Sequence, residues 1–177
     1  MTKNAECVLL ADIGATNARF ATGKEGVFGP ITTLQVAKFP TFHAALHTFY
    51  REQTSELPVR QAVIAVAGPV KNGRAALTNA DWVIDSEELR REFGLKTTLA
   101  NDFAAVAYSI PSLTARGDVE AIGAGMAEPG APIAVLGPGT GLGVAVWSQM
   151  QIMVNPWSWR ANADTQRLLR RANARTQ

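Results

Sequence analysis

The chain has 177 residues, 47% apolar and 18% charged, the balance of a soluble globular protein with enough apolar side chains for a substantial core. Cys7 is the sole cysteine, which excludes an intrachain disulfide and a cysteine metal cluster, and no run approaches the ~18 apolar residues of a membrane-spanning helix. Residues 1–148 carry 12 basic and 14 acidic side chains and residues 149–177 carry five and one, so the net charge of +2 belongs to the C-terminal stretch. Its five arginines supply charge without an aromatic or groove-reading pattern, so no nucleic-acid partner is expected. No membrane partner is expected either, and the cytoplasm is the expected location.

The apolar runs Val8 to Ala11 and Phe20 to Ala21 flank Asp12-Ile13-Gly14-Ala15-Thr16-Asn17-Ala18-Arg19. Two short extended runs around a Gly- and Thr-containing tip predict a β-hairpin, with a backbone that can adopt positive φ at Gly14. Such a tip offers N–H groups and a hydroxyl to an anion, and Asp12 beside it suits a divalent cation. The residues alone also fit a plain hairpin with a surface Asp.

A third strand is predicted over Ile31 to Val36 and a helix over Phe42 to Tyr50. His43 and His47 stand four apart on that helix; with no third ligand close in sequence they read as surface residues. The run Ala62 to Ala67, ended by Gly68-Pro69, reads as a buried strand, and Arg74 to Asn79 as another. Asp85 or Ser86 caps a helix over Glu87 to Phe93, stopped at Gly94. Thr97 to Asn101 is a short strand giving way at Asn101-Asp102 to a helix over Phe103 to Ile110. A polar pair at the carboxyl end of a strand is where α/β sheets bind ligands, although Asp102 also suits a helix cap. Val119 to Ile122 reads as a short strand. Pro132 to Leu136 and Val144 to Trp147 then enclose Gly137-Pro138-Gly139-Thr140-Gly141-Leu142-Gly143, a second hairpin whose tip echoes the first. Its spacing fits neither a dinucleotide-binding nor a P-loop fingerprint.

Three segments in this order, LLADIGATNARFA, TLANDFAAVAYSIPSL and PIAVLGPGTGLGVAVW, resemble the bacterial glucokinase family of the actin, hexokinase and Hsp70 superfamily, from about Val8 to about Trp147. The resemblance implies an α/β fold, a ribonuclease-H-like mixed sheet with flanking helices. It also implies ATP-dependent phosphorylation of glucose to glucose 6-phosphate, with ATP and Mg²⁺ as cofactors and glucose and ATP as partners. It assigns Ala11, Asp12, Ile13, Gly14, Ala15, Thr16 and Asn17, with Gly139, Thr140 and Gly141, to the nucleotide, and Asp12 to the metal. Asp102 matches the family's catalytic aspartate and Asn101 its sugar-contacting asparagine; Asn79 lies in a stretch resembling a cleft-lining segment. Arg19 could face phosphate, although an Arg on a short strand is more often a surface residue.

The implied organisation is a small α/β domain over 1–112, the start of a large domain over 113–148, and an atypical basic tail over 149–177. The family's Glu and Gly-Gly-His sugar segment does not follow Trp147-Ser148. Codons for Gln149 onward can be chosen so that another frame encodes SERGHATFAAASERE, which resembles that segment; a frameshift product is one expectation for the tail and a natural short paralogue with a new tail the other. A chain of this kind is expected to have impaired activity and to dimerise or self-associate. The rival expectation is a non-catalytic sugar- or nucleotide-binding relative.

Overall fold

Alternation of buried and outward side chains along Cys7–Ile13 makes this segment, β1, a strand with one face in a core. A computed structural model describes residues 7–24, 27–52, 59–77, 80–113, 117–126, 128–138, 142–148 and 152–154. The chain divides into two units, 1–102 and 103–177, a division ten residues before the one read from the sequence.

In the first unit β1 is followed by β2 (Asn17–Lys24), β3 (Val27–Phe28), β4 (Thr32–Gln35), α1 (Phe42–Glu52), β5 (Val59–Val66), β6 (Val70–Lys71), β7 (Arg74–Ala76), β8 (Val83–Asp85), α2 (Ser86–Phe93) and β9 (Lys96–Asn101). The main sheet has the order β3-β2-β1-β5-β9, with β4 also paired to β2. β2 runs antiparallel to β1, while β5 and β9 run parallel to it, so the sheet is mixed. β6, β7 and β8 form a separate antiparallel sheet, opened by an Asn72-Gly73 turn with φ of 52° and 71°. These two positive φ values are those of the hairpin turn that Asn-Gly favours.

One face of the main sheet carries Leu9, Ala11, Ile13, Phe20, Ala62, Ile64 and Val66 into a core shared with Phe42, Ala45, Leu46 and Phe49 of α1. The spacing of those four positions is the inner stripe of a helix. Burial of each large side chain there contributes about 1.5–3 kcal/mol. Thr41 starts α1 by accepting the Ala44 N–H at 3.1 Å. Phe20 stacks on Phe49 at 5.3 Å, and the Trp82 indole meets Phe42 edge-on at 6.0 Å while donating to the Phe39 carbonyl at 3.0 Å. Asp85 caps α2 through the N–H groups of Glu87 and Glu88, and Gly94 ends it in the left-handed region at φ 68°, as the sequence suggests. The opposite face of the sheet is less covered: Val63, a residue of the central strand β5, is 43% exposed.

α3 (Asp102–Ser109) starts at the last residue of the first unit and continues into the second, followed by a single 3-10 turn at Ile110–Ser112. β10 (Ile133–Pro138), β11 (Leu142–Trp147) and β12 (Ile152–Val154) then form an antiparallel sheet, so three residues of the stretch read as a tail belong to a strand. Gly137 and Gly143 are register partners, and a Cβ at either would run into the Phe103 ring. These two glycines make room for an aromatic ring. Val119 to Ile122 is not a strand. Gly117 and Gly123, at φ 98° and 87°, turn the chain at both ends of that segment, and Ile122 is 98% exposed.

Gly143→Ala is therefore expected to destabilise the second unit by about 1–3 kcal/mol through overpacking. Hydrogen exchange should show the loss of protection concentrated in β10 and β11. A second expectation concerns Tyr50, which packs on Phe49 and Phe93 at ring distances of 5.8 and 6.0 Å. Burial pushes its hydroxyl from 10.0 up to about 12. The unfolded chain loses this proton first, so stability present below pH 10 declines as the pH rises through about 12. Tyr50→Phe should flatten that alkaline decline in denaturant titrations.

Candidate active site

Three parallel strands of the first unit end at one level. Ile13 of β1 pairs with Val66 of β5, and Val66 pairs with Asn101 of β9. One residue earlier, Asp12, Ala65 and Ala100 form the row behind. At the usual spacing of neighbouring strands, the outer members of each row stand roughly 10 Å apart. Residues in register share a face, so Asn101 lies on the core side with Ile13 and Val66, while Asp12 lies on the other. The hairpin tip and the Asn101-Asp102 junction thus share the carboxyl edge of the parallel strands.

The tip is held by its own backbone. Gly14 N–H donates to the Asn17 carbonyl at 2.9 Å, and the Thr16 carbonyl accepts the Val36 N–H at 2.9 Å, tying the turn to the segment after β4. Gly14 does not use the positive φ that a glycine allows there. Its missing side chain matters for another reason: a Cβ would stand 3.3 Å from the Asn17 carbonyl oxygen. Ala11 and Ile13 are buried core residues of β1, Gly14, Ala15 and Asn17 are half-buried, and Thr16 is exposed.

Asp12 and Arg19 face each other across the β1–β2 ladder, and the guanidinium donates to the carboxylate at 2.9 Å. Both side chains are about half exposed, at 51% and 49%, so the pair contributes no more than about 1 kcal/mol to stability. Arg19 is a surface residue, and the ladder register brings it to the candidate metal ligand. Among the described residues no group of three or more His, Cys, Asp or Glu side chains could hold a metal ion.

Asn101 is anchored from below. The chain leaves β5 through a tight turn closed by Gly68 N–H on the Val66 carbonyl at 2.8 Å, with Ala67 N–H on the Ile13 carbonyl at 2.8 Å. The Gly68 carbonyl accepts the Asn101 side-chain amide at 3.1 Å. Gly68 must be small, since a Cβ there would lie 2.9 Å from the Ala76 carbonyl oxygen. This link between two segments 33 residues apart has no local sequence signal. Asp102 is half-buried as the first residue of α3. Asn79, Gly139, Thr140 and Gly141 lie outside the described residues, although the arms Ile133–Pro138 and Leu142–Trp147 form the expected second hairpin.

The glucokinase family model matches residues 9–158. The chain belongs to the glucokinase family. The glucokinase of Chromobacterium violaceum is 39% identical over 157 residues, covering 88% of this chain and 43% of that protein. The glucokinase of Cupriavidus pinatubonensis is 43% identical over 143 residues, covering 77% and 41%. The chain thus spans less than half the length of these curated relatives. Among solved structures, a glucokinase from an Antarctic psychrotroph superposes with a TM-score of 0.70 at 30% identity, over 96% of this chain and 57% of that one. A Balamuthia mandrillaris glucokinase solved in complex with glucose shares the fold, with a TM-score of 0.63 at 20% identity over 96% and 54%. The α/β architecture with a mixed sheet and flanking helices is that of glucokinases and related sugar kinases with the actin-like ATPase fold. The family match also runs through residue 158, beyond the Trp147 at which the sequence motifs stop.

Gly68→Ala is expected to cost about 1–3 kcal/mol of stability in urea denaturation. By displacing the carbonyl acceptor it should also shift the Asn101 side-chain amide resonances.

Proposed function

We propose that this chain carries the first phosphate loop and the sugar-facing base of a glucokinase, transferring the terminal phosphoryl group of ATP to the C6 hydroxyl of glucose. The observation that carries the reading is the common level of Ile13, Val66 and Asn101, which sets the Asp12 to Asn17 tip and the Asn101-Asp102 pair on one sheet edge in a member of this family. Phosphoryl transfer requires chiefly positioning and neutralisation of charge on the transferred group. With Gly14 N–H engaged by Asn17, the tip presents the Ala15 and Thr16 N–H groups and the Thr16 hydroxyl to phosphate. The family resemblance gives the Gly139-Thr140-Gly141 segment a phosphate-binding role as well.

The donor set at Asp12 fits Mg²⁺, which keeps most of its waters and takes one or two carboxylates beside substrate phosphates. Bound there, Mg²⁺ would neutralise phosphate charge. Arg19 would release Asp12 and turn to the phosphates, exchanging one anionic partner for another. Asp102 accepts the proton of the glucose C6 hydroxyl as its oxygen attacks phosphorus, a role worth about 10²–10⁴ in rate. Asn101 orients the sugar, its amide held by the Gly68 carbonyl, and Asn79 supplies a further sugar contact. The cytoplasm, where glycolysis begins, is the compartment this reaction suits.

The test is calorimetric titration of the purified chain with glucose and with Mg·ATP, beside a coupled assay for glucose 6-phosphate. Glucose is expected to bind, and Asn101→Ala to weaken binding by about tenfold, the equivalent of one buried hydrogen bond. Turnover should be weak and should vanish in Asp102→Ala. Absence of glucose binding with and without Mg·ATP would overturn the proposal. Binding with no turnover would assign the chain to the non-catalytic reading.

A further inference from the structure

Four hydrogen bonds run in series from the first hairpin tip to residues 77–82. The Thr16 carbonyl accepts the Val36 N–H at 2.9 Å, and the Val36 carbonyl accepts the Phe39 N–H at 3.1 Å, closing a single 3-10 turn at Val36–Lys38. The Phe39 carbonyl accepts the Trp82 indole N–H at 3.0 Å, and the Trp82 carbonyl accepts the Leu77 N–H at 3.0 Å. Three of these bonds join main chain to main chain, and any residue but proline can supply their donors. The bond from Trp82 depends on a side chain, and it joins segments 43 residues apart. Trp82 is buried and its ring meets Phe42 edge-on at 6.0 Å, so the core itself aims the donor. Phenylalanine or leucine would fill much of that space but would carry no donor.

We propose that Trp82 is a positioning residue, holding the sugar-side segment 77–82 to the phosphate-side tip through the Val36–Phe39 turn. This rests on the assignment of the tip to phosphate and of Asn79 to sugar. The Thr16 carbonyl belongs to the planar peptide group between Thr16 and Asn17, so its bond to Val36 fixes the orientation of the tip backbone. At the other end, the Leu77–Trp82 bond closes the base of the stretch in which Asn79 stands. Transfer between two bound substrates needs the reacting atoms held about 3–3.5 Å apart, so the segments that bind them must keep a fixed separation. A short turn with a hydrogen bond at each end leaves little slack, and bonds in series away from water strengthen one another. Loss of the Trp82 N–H deprives the Phe39 carbonyl of that donor and releases one segment from the other without emptying the core.

The test uses the full chain labelled with nitrogen-15, with Trp82→Phe identifying the Trp82 indole resonance. Glucose alone and Mg·ADP alone should each shift that resonance. Val36→Pro deletes the N–H that binds Thr16, at a position where proline fits because Gln35 before it is extended at φ −80° and ψ 122°. In this variant Mg·ADP should no longer shift the Trp82 indole, while glucose still does. In calorimetry Trp82→Phe should weaken glucose binding about three- to tenfold, the worth of one hydrogen bond. Two controls lie off this chain of bonds: Phe49→Leu loosens the same core, and His47→Gln breaks another long-range contact, His47 Nε2 to Glu92 Oε1 at 2.8 Å. Both should leave glucose affinity unchanged, and unfolding temperatures establish that each variant folds. A Trp82 indole that stays silent with either ligand bound overturns the proposal, as does equal weakening of glucose binding in Trp82→Phe and Phe49→Leu. A parent chain that binds neither glucose nor Mg·ADP overturns the assignment on which the proposal rests, and the proposal with it.

Discussion

The in-register parallel pairing of β1, β5 and β9 is the constraint on which the rest of the first unit depends. A one-residue slip between β1 and β5 would exchange the faces of Ile13 and Asp12, burying a carboxylate and exposing an isoleucine. Burial of Leu9, Ala11, Ile13, Ala62, Ile64 and Val66 on one face therefore sets the register, and the register sets the level at which the strands end. The edge that holds Asp12 and Asn101 is a by-product of core packing several residues away. Chemistry at that edge needs no dedicated framework beyond short local ties, the Gly14–Asn17 bond on one side and the Asn101–Gly68 bond on the other.

Much of this was legible in the chain itself. The apolar run Val8 to Ala11, the helical spacing over Phe42 to Tyr50 and the Asp85 and Gly94 signals around α2 are periodic or local features, and each corresponds to an observed element. The Asn72-Gly73 hairpin was equally local, yet only its second arm was read as a strand, over Arg74 to Asn79, because the first arm is two residues long. At Val119 to Ile122 an apolar pair mimicked a strand, and among the described residues no strand pairs with this segment.

What escaped the sequence reading is non-local. Nothing near Arg19 says that it will face Asp12, because that contact is a property of the ladder register. Nothing near His43 and His47 announces Glu92, more than 40 residues away on another helix. The glycines illustrate the same limit. Gly14 was given a conformational role and has a steric one, set by the Asn17 carbonyl. Gly137 and Gly143 flank a tip rich in glycine and look like part of it, but they are where the Phe103 ring lies. A glycine chosen for its absent volume cannot be told from one chosen for its torsion angles until its neighbour is known.

The uneven cover of the main sheet bears on how the chain can vary. Along β1 and β5 every second residue lies in a filled core, where a lost or added methylene is felt, while Val63 and its neighbours on the other face meet a looser environment. Substitutions should consequently be filtered with a period of two along the strands. Drift is expected at positions such as Val8, Leu10 and Val63, with the positions between them held to a narrow range of shapes. The strand ends inherit this discipline, so the spatial relation between Asp12 and Asn101 can persist while one face of the sheet that carries them is rewritten.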